Sequence, residues 1–141
     1  MIDNVFFDTN ILVNSFAAKK ADVQSARRDT AQKLIIHGGV ISVQVLNEYV
    51  QVCRKKMQLD WAQIMESLQA IYGLCEKIVP TTIETHEKAV NLSRRYGFHI
   101  YDSLMIAAAL QSGCTTIYSE DMQHGQMIEG MRIENPFRAV T

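Results

Sequence analysis

Val5-Phe6-Phe7-Asp8-Thr9-Asn10-Ile11-Leu12 is the stretch on which the reading of this chain turns. Three apolar residues run into Asp-Thr-Asn, and apolar residues resume behind them. The pattern predicts a short buried strand that delivers a polar cluster and is followed by a helix starting near Ile11. Related arrangements recur further along. Val40-Ile41 leads into a helix over residues 42–57, with Ser42 as its N-cap. Val45, Leu46, Tyr49, Val50 and Cys53 form one apolar face of that helix, and Glu48 lies at its edge. Residues 115–118 are β-branched and aromatic, a strand that hands over to Ser119-Glu120-Asp121. Residues 101–111 are almost uniformly apolar after the first turn, which predicts a buried helix headed by Asp102.

The intervening segments read as helices with clear punctuation. Residues 22–37 carry apolar positions at helical spacing, among them Val23, Ala26, Ala31, Leu34 and Ile35, and stop at Gly38-Gly39. Asp60 and Gln63 have capping-box spacing. Behind them Trp61, Ile64, Met65, Leu68, Ile71 and Tyr72 mark the clearest amphipathic helix in the chain. Ile78-Val79 is a further short strand. Thr81 and Glu84 have capping-box spacing for a helix that runs to Tyr96 and ends at Gly97. Residues 131–133 are a last strand. Strands alternating with helical segments predict an α/β fold: a three-layer sandwich with a central parallel sheet of four or five strands flanked by helices. No linker or repeat is visible, so residues 1–141 read as a single domain.

Bulk properties exclude several classes. The chain has 141 residues, 48% hydrophobic and 21% charged, which is ordinary for a globular protein with a proper core. The longest apolar run is far too short for a bilayer span, and MIDNVFFDTN has no basic, signal-type start; the expectation is a cytoplasmic protein without membrane contact. Cys53, Cys75 and Cys114 are odd in number and lie far apart, with no CxxC, which leaves buried thiols rather than a zinc site or disulfides. His37, His86, His99 and His124 show no zinc-ligand spacing; His99 and His124, close in sequence to Asp102 and Asp121, read as structural, with substrate contact as the alternative. A net charge of −1 gives no general attraction to nucleic acid, so any such binding must come from local patches. Arg27-Arg28, Arg54-Lys55-Lys56 and Arg94-Arg95 are the candidates.

Asp8, Glu48, Asp102 and Asp121 stand at strand ends or soon after them. Singly, each is as readily a cap, a turn residue, a helix-dipole partner or a surface charge. In a parallel α/β sheet, however, the ends of successive strands converge on one edge, where ligands bind. Carboxylates gathered there repel by roughly 4 kcal/mol per pair at about 4 Å in an effective dielectric near 20. They persist only with bound protons or a cation.

Taken together the segments carry a resemblance. Phe7-Asp8-Thr9-Asn10-Ile11-Leu12, the Ile41-to-Glu48 segment ISVQVLNE, the Tyr101-to-Ala109 segment YDSLMIAAA and Ile117-Tyr118-Ser119-Glu120-Asp121 resemble, in order and spacing, the motifs of PIN-domain ribonucleases. In size the chain resembles the free-standing kind found as toxins of toxin–antitoxin pairs. The resemblance implies a PIN-like sandwich and metal-dependent hydrolysis of RNA phosphodiester bonds. Asp8, Glu48, Asp102 and Asp121 would be the catalytic acids. Asp8, Asp102 and Asp121 would bind metal, and Glu48 would bind it through water or orient the nucleophile. Thr9, Asn10 and Ser119 would contact the acids or a phosphate. An all-oxygen donor set selects Mg²⁺, with Mn²⁺ as the alternative. An antitoxin protein and a homodimer are the implied partners besides RNA. The long helices over residues 42–75 offer an apolar face for either. Two rival readings are a non-catalytic PIN-fold binding module and a phosphoryl-transfer domain. The first is opposed by the presence of all four acids. The second wants a lysine near Asp121 that the chain lacks.

Overall fold

The computed structural model describes residues 4–17, 25–75 and 77–139. The opening stretch folds as read. β1 (Val5–Phe7) ends at Asp8, which caps α1 (Thr9–Leu12); the helix starts at Thr9, two residues earlier than expected. It continues as a π-helical turn over Val13–Ala17. The following elements are α2 (Ser25–His37), β2 (Val40–Ser42), α3 (Val43–Lys55), α4 (Trp61–Leu74) and β3 (Lys77–Val79). Then come α5 (Ile83–Tyr96), α6 (Ile100–Gln111), β4 (Thr116–Tyr118), β5 (Met127–Ile128) and β6 (Met131–Glu134). The expected helix start at Asp22, with Val23 on its apolar side, lies outside the described residues.

The six strands form one sheet in the order β3-β2-β1-β4-β6-β5. All neighbouring pairs are parallel except β5 with β6. The fold is therefore an α/β sandwich, with an antiparallel hairpin added at one edge. That hairpin turns on Glu129 and Gly130, both at positive φ (48° and 86°), the backbone that a two-residue turn between twisted strands requires. Steps from β1 to β2 to β3 move one way across the sheet, and the step to β4 returns to the other side of β1. Helices α5 and α6 pack on each other, and α6 lies against β2 and α3. The sheet is apolar on both faces: Phe6, Phe7, Ile41, Ile117 and Ile133 are fully buried. Each contributes roughly 1.5–3 kcal/mol by burial.

Local sequence explains the element ends. Ser42 Oγ accepts from the Val45 amide, and Asp60 with Gln63 forms the reciprocal capping box. The box that opens α5 is one residue later than its sequence signature. Thr82 is the cap and Thr85 its partner, rather than Thr81 and Glu84. Thr85 is buried and also donates to Gln111 Oε1 at 2.8 Å, so it ties α5 to the end of α6; a charged Glu could not occupy that position without a partner. Gly97 takes the left-handed C-cap conformation. Leu104, Met105, Ile106, Ala107, Ala108 and Ala109 are all buried, as an all-apolar helix demands. The α4 face is wider than what it buries: Ile64 and Ile71 are enclosed, while Trp61 and Met65 remain 56% and 64% exposed. Cys53, Cys75 and Cys114 are free and buried.

Gly38-Gly39 does more than stop α2. Gly38 holds φ +89°, whereas Gly39 lies where a Cβ would come within 2.5 Å of the Phe7 ring and 3.0 Å of Val5. Phe7 is fully buried and stacks on Tyr118, so it has nowhere to retreat. Gly39→Ala is expected to destabilise the fold by about 1–3 kcal/mol, as overpacking does, measured as a lowered urea midpoint. Gly73→Ala, in α4 with open space around its Cα, is the matched control.

Candidate active site

The direction of the chain reverses between β1 and β4, the position in an open α/β sheet where a crevice forms. Register brings Phe7 opposite Tyr118, so the residues that follow, Asp8 and Ser119, meet. The Ser119 hydroxyl donates to Asp8 Oδ2 at 2.7 Å, and the Thr9 amide donates to Asp8 Oδ1 at 2.5 Å. Asp8 is thus both the cap of α1 and a fixed carboxylate at the sheet edge. Thr9 also reaches α3: its hydroxyl donates to Glu48 Oε2 at 3.3 Å. The Asn10 amide donates to Asp121 Oδ2 at 2.9 Å. Asp102 enters from the first turn of α6. Four elements therefore present four acids to one place, and Thr9, Asn10 and Ser119 each hold one of them.

The electrostatics agree with this gathering. Burial, less the help of the Ser119 and Thr9 hydrogen bonds, raises the Asp8 carboxyl from 3.8 to about 6, with Asp121 and Asp102 adding to the rise. Burial raises Glu48 from 4.5 to about 7, helped by the charges of Asp8 and Asp102. Asp102 is raised by burial and by Asp121, with His99 pulling the other way. The charges of Asp121 and Asp102 thus reach Asp8, those of Asp8 and Asp102 reach Glu48, and that of Asp121 reaches Asp102, as expected of groups that lie close together.

Adjacent Glu120 and Asp121 separate as expected from their spacing. Asp121 takes the Asn10 amide, while Glu120 turns away and pairs with Arg27, whose guanidinium also lies 4.2 Å over the Phe137 ring. Sequence reading placed Arg27 in a basic cluster and did not anticipate this pairing, because the partner is 93 residues away. His124 is structural, its Nδ1 accepting from the Asn135 amide at 3.0 Å. His99 caps α6, its Nδ1 accepting from the Tyr101 amide at 3.1 Å. Arg54 bonds the Leu59 carbonyl and covers Trp61, so it braces the α3–α4 turn.

Among the described residues, no three His, Cys, Asp or Glu side chains already stand in a metal-holding arrangement. The chemistry of the donor set still fits a hard cation. It is all carboxylate oxygen, and burial together with neighbouring negative charge raises Asp8, Glu48 and Asp102 above the ordinary carboxylate range.

The family model described as PIN domain matches residues 5–127, the span from β1 to β5. The chain belongs to the PIN domain family. No curated protein matches it. Solved PIN-like folds do. A toxin–antitoxin complex from Klebsiella pneumoniae aligns with TM-score 0.68 and 20% identity over 94% of this chain and 98% of that one. The VapC20 toxin of Mycobacterium tuberculosis, described as cleaving the sarcin–ricin loop, aligns with TM-score 0.66 and 17% identity over 84% and 90%. VapBC2 from Rickettsia felis, solved bound to a fragment of its promoter DNA, aligns with TM-score 0.64 and 18% identity over 93% and 97%. At these identities the likeness is one of fold. The PIN domain of this chain spans nearly the whole length of each. All four of its acids fall within the matched residues.

Proposed function

We propose that this PIN domain is a metal-dependent endoribonuclease that hydrolyses RNA phosphodiester bonds, and that it is the toxin of a toxin–antitoxin pair working in the cytoplasm. The observation that carries the reading is the convergence of Asp8, Glu48, Asp102 and Asp121 on the switch point of the sheet, with protonation raised at Asp8, Glu48 and Asp102. Mg²⁺ or Mn²⁺ is the fitting cofactor. Asp8 would be the central ligand, held rigid by Thr9 and Ser119, with Asp102 and Asp121 completing the set. When bound, the cation would supply an acidified water and positive charge at the phosphate. Glu48, whose carboxylate accepts from the Thr9 hydroxyl, would serve as the base beside that set. Unpaired RNA is the fitting substrate, since a strand must be drawn into the crevice.

The matched complexes include toxins solved with antitoxins, and that supports an antitoxin here. The exposed apolar part of α4, with Trp61, Met65 and Tyr72, offers area for that partner or for a homodimer. Light scattering that finds only monomer would sink the dimer.

Incubating the protein with single-stranded RNA in Mg²⁺, Mn²⁺ or EDTA tests the reading. Discrete cleavage with either metal and none in EDTA is the expected result; no metal-dependent cleavage would overturn it. Ser119→Ala removes the hydrogen bond that favours ionised Asp8. It is expected to weaken Mn²⁺ binding about 10–100-fold by calorimetry, the usual effect of losing a group that orients a ligand. Wild-type affinity in that variant would remove Asp8 from the metal site.

A further inference from the structure

The corner between α5 and α6 combines features that neither capping nor core packing requires. Ser, Thr, Asp and Asn are the usual helix caps, yet α6 is capped by an imidazole. With Nδ1 accepting from the Tyr101 amide, the proton of the neutral His99 ring sits on Nε2, on an exposed side chain. Its ring lies 5.1 Å from that of Tyr101 at a 46° tilt, and Tyr101 is 52% exposed, so its face contributes little to the core. Both residues stand at the start of α6 beside Asp102. Just upstream, Tyr96 and Phe98 stack at 5.5 Å, and Arg95 lies 5.2 Å over Tyr96. Arg94 and Arg95 are exposed, and neither is in an ion pair among the described residues, whereas Arg27 is. The result is a basic edge interleaved with aromatic rings, beside an acidic cluster that by itself repels a phosphate backbone.

We propose that this corner is the platform for the substrate strand: an unpaired RNA base next to the scissile phosphate stacks on Tyr101 and His99, and Arg94 and Arg95 take the phosphates beyond it. The inference rests on the nuclease reading for its scissile phosphate, but its binding surface is separately testable. Aromatic faces accept any base, so the platform selects single strands without selecting sequence. His99 Nε2–H adds one donor for a base edge or a phosphate oxygen.

The test is anisotropy of a labelled single-stranded RNA dodecamer with the full chain in EDTA, where no cleavage intervenes. Tyr101→Leu is expected to weaken binding about tenfold, the loss of one stacked base, while Tyr101→Phe stays within about twofold of wild type. Ile83→Ala, an exposed apolar residue at the start of α5, should leave affinity unchanged. Replacing Arg94 and Arg95 together by Gln should flatten the salt dependence by about 1.4 in log–log slope. Melting curves establish that each variant is folded. Wild-type affinity in Tyr101→Leu overturns the platform even if the wild-type protein cleaves RNA. An equal loss for a duplex of the same length also overturns it, as does tighter binding of the deoxyribose strand. Tyr101-dependent binding with no cleavage in Mn²⁺ upholds the platform and overturns the nuclease.

Discussion

Asp8→Asn is expected to abolish metal-dependent RNA cleavage, by at least about 100-fold, while leaving the fold intact. The loss is large because the amide would remove one negative charge from the centre of the proposed ligand set. Charge stabilisation by a bound metal is worth several kcal/mol, and each 1.4 kcal/mol is tenfold in rate. The fold survives because the amide reproduces both hydrogen bonds. Its oxygen still accepts from the Thr9 amide, and its NH₂ faces the Ser119 hydroxyl, which then accepts instead of donating. The check is a cleavage assay beside a melting curve. Cleavage at the wild-type rate would show that the chemistry does not pass through Asp8.

The second large effect is on stability. In EDTA the wild-type protein is expected to lose stability as the pH rises from about 4 to 8. Asp8 and Glu48 both have folded values above their ordinary ones, near 6 and 7. Between the unfolded and folded values the native state holds more protons than the unfolded chain. The stability from these groups is therefore complete below about pH 4 and is lost as the pH rises through about 6 for Asp8 and about 7 for Glu48. Moving Asp8 from 3.8 to about 6 corresponds to about 3 kcal/mol at most. That is a fall of about 10 °C in melting temperature for a domain of this size. Asp8→Asn should melt higher than wild type at pH 8 and show a shallower decline. Excess Mg²⁺ should restore the wild-type protein at high pH, by about 3 kcal/mol at a hundred times its Kd. Parallel pH profiles for wild type and variant would refute the account.

These effects arise from residues whose identity was legible before the fold was known. Asp8 could be read as a strand-end acid because the apolar run before it and the Asn after it are local features. The α6 helix was equally plain, since a helix apolar all round has only one place to go. The α5 cap was misplaced by one residue for a reason that is not local. Thr81 and Glu84 have the right spacing, but Thr85 gains a partner on Gln111, 26 residues on, and burial there selects a neutral hydroxyl. The hairpin strand Met127–Ile128 escaped notice because two residues carry no periodicity. Nor did the apolar stripe of α4 reveal how much of itself would be covered. Periodicity reports which residues share a face, not what packs against it.

Sequence alone determined the alternation of strands and helices and offered four acids at or near strand ends as an all-oxygen candidate set. These follow from short-range patterns: hydrophobic period, turn residues and the absence of soft ligands. Tertiary structure alone decided that Thr9 steers Glu48, that Asn10 holds Asp121, that Glu120 turns to Arg27, and that His99 and Tyr101 stand beside Asp102. Each of these depends on the order in which strands pair. β4 lies next to β1 only because the chain reverses direction across the sheet, and that reversal brings residues more than a hundred positions apart within 3 Å. Local propensities do not encode such a distance. The packing of the whole core does.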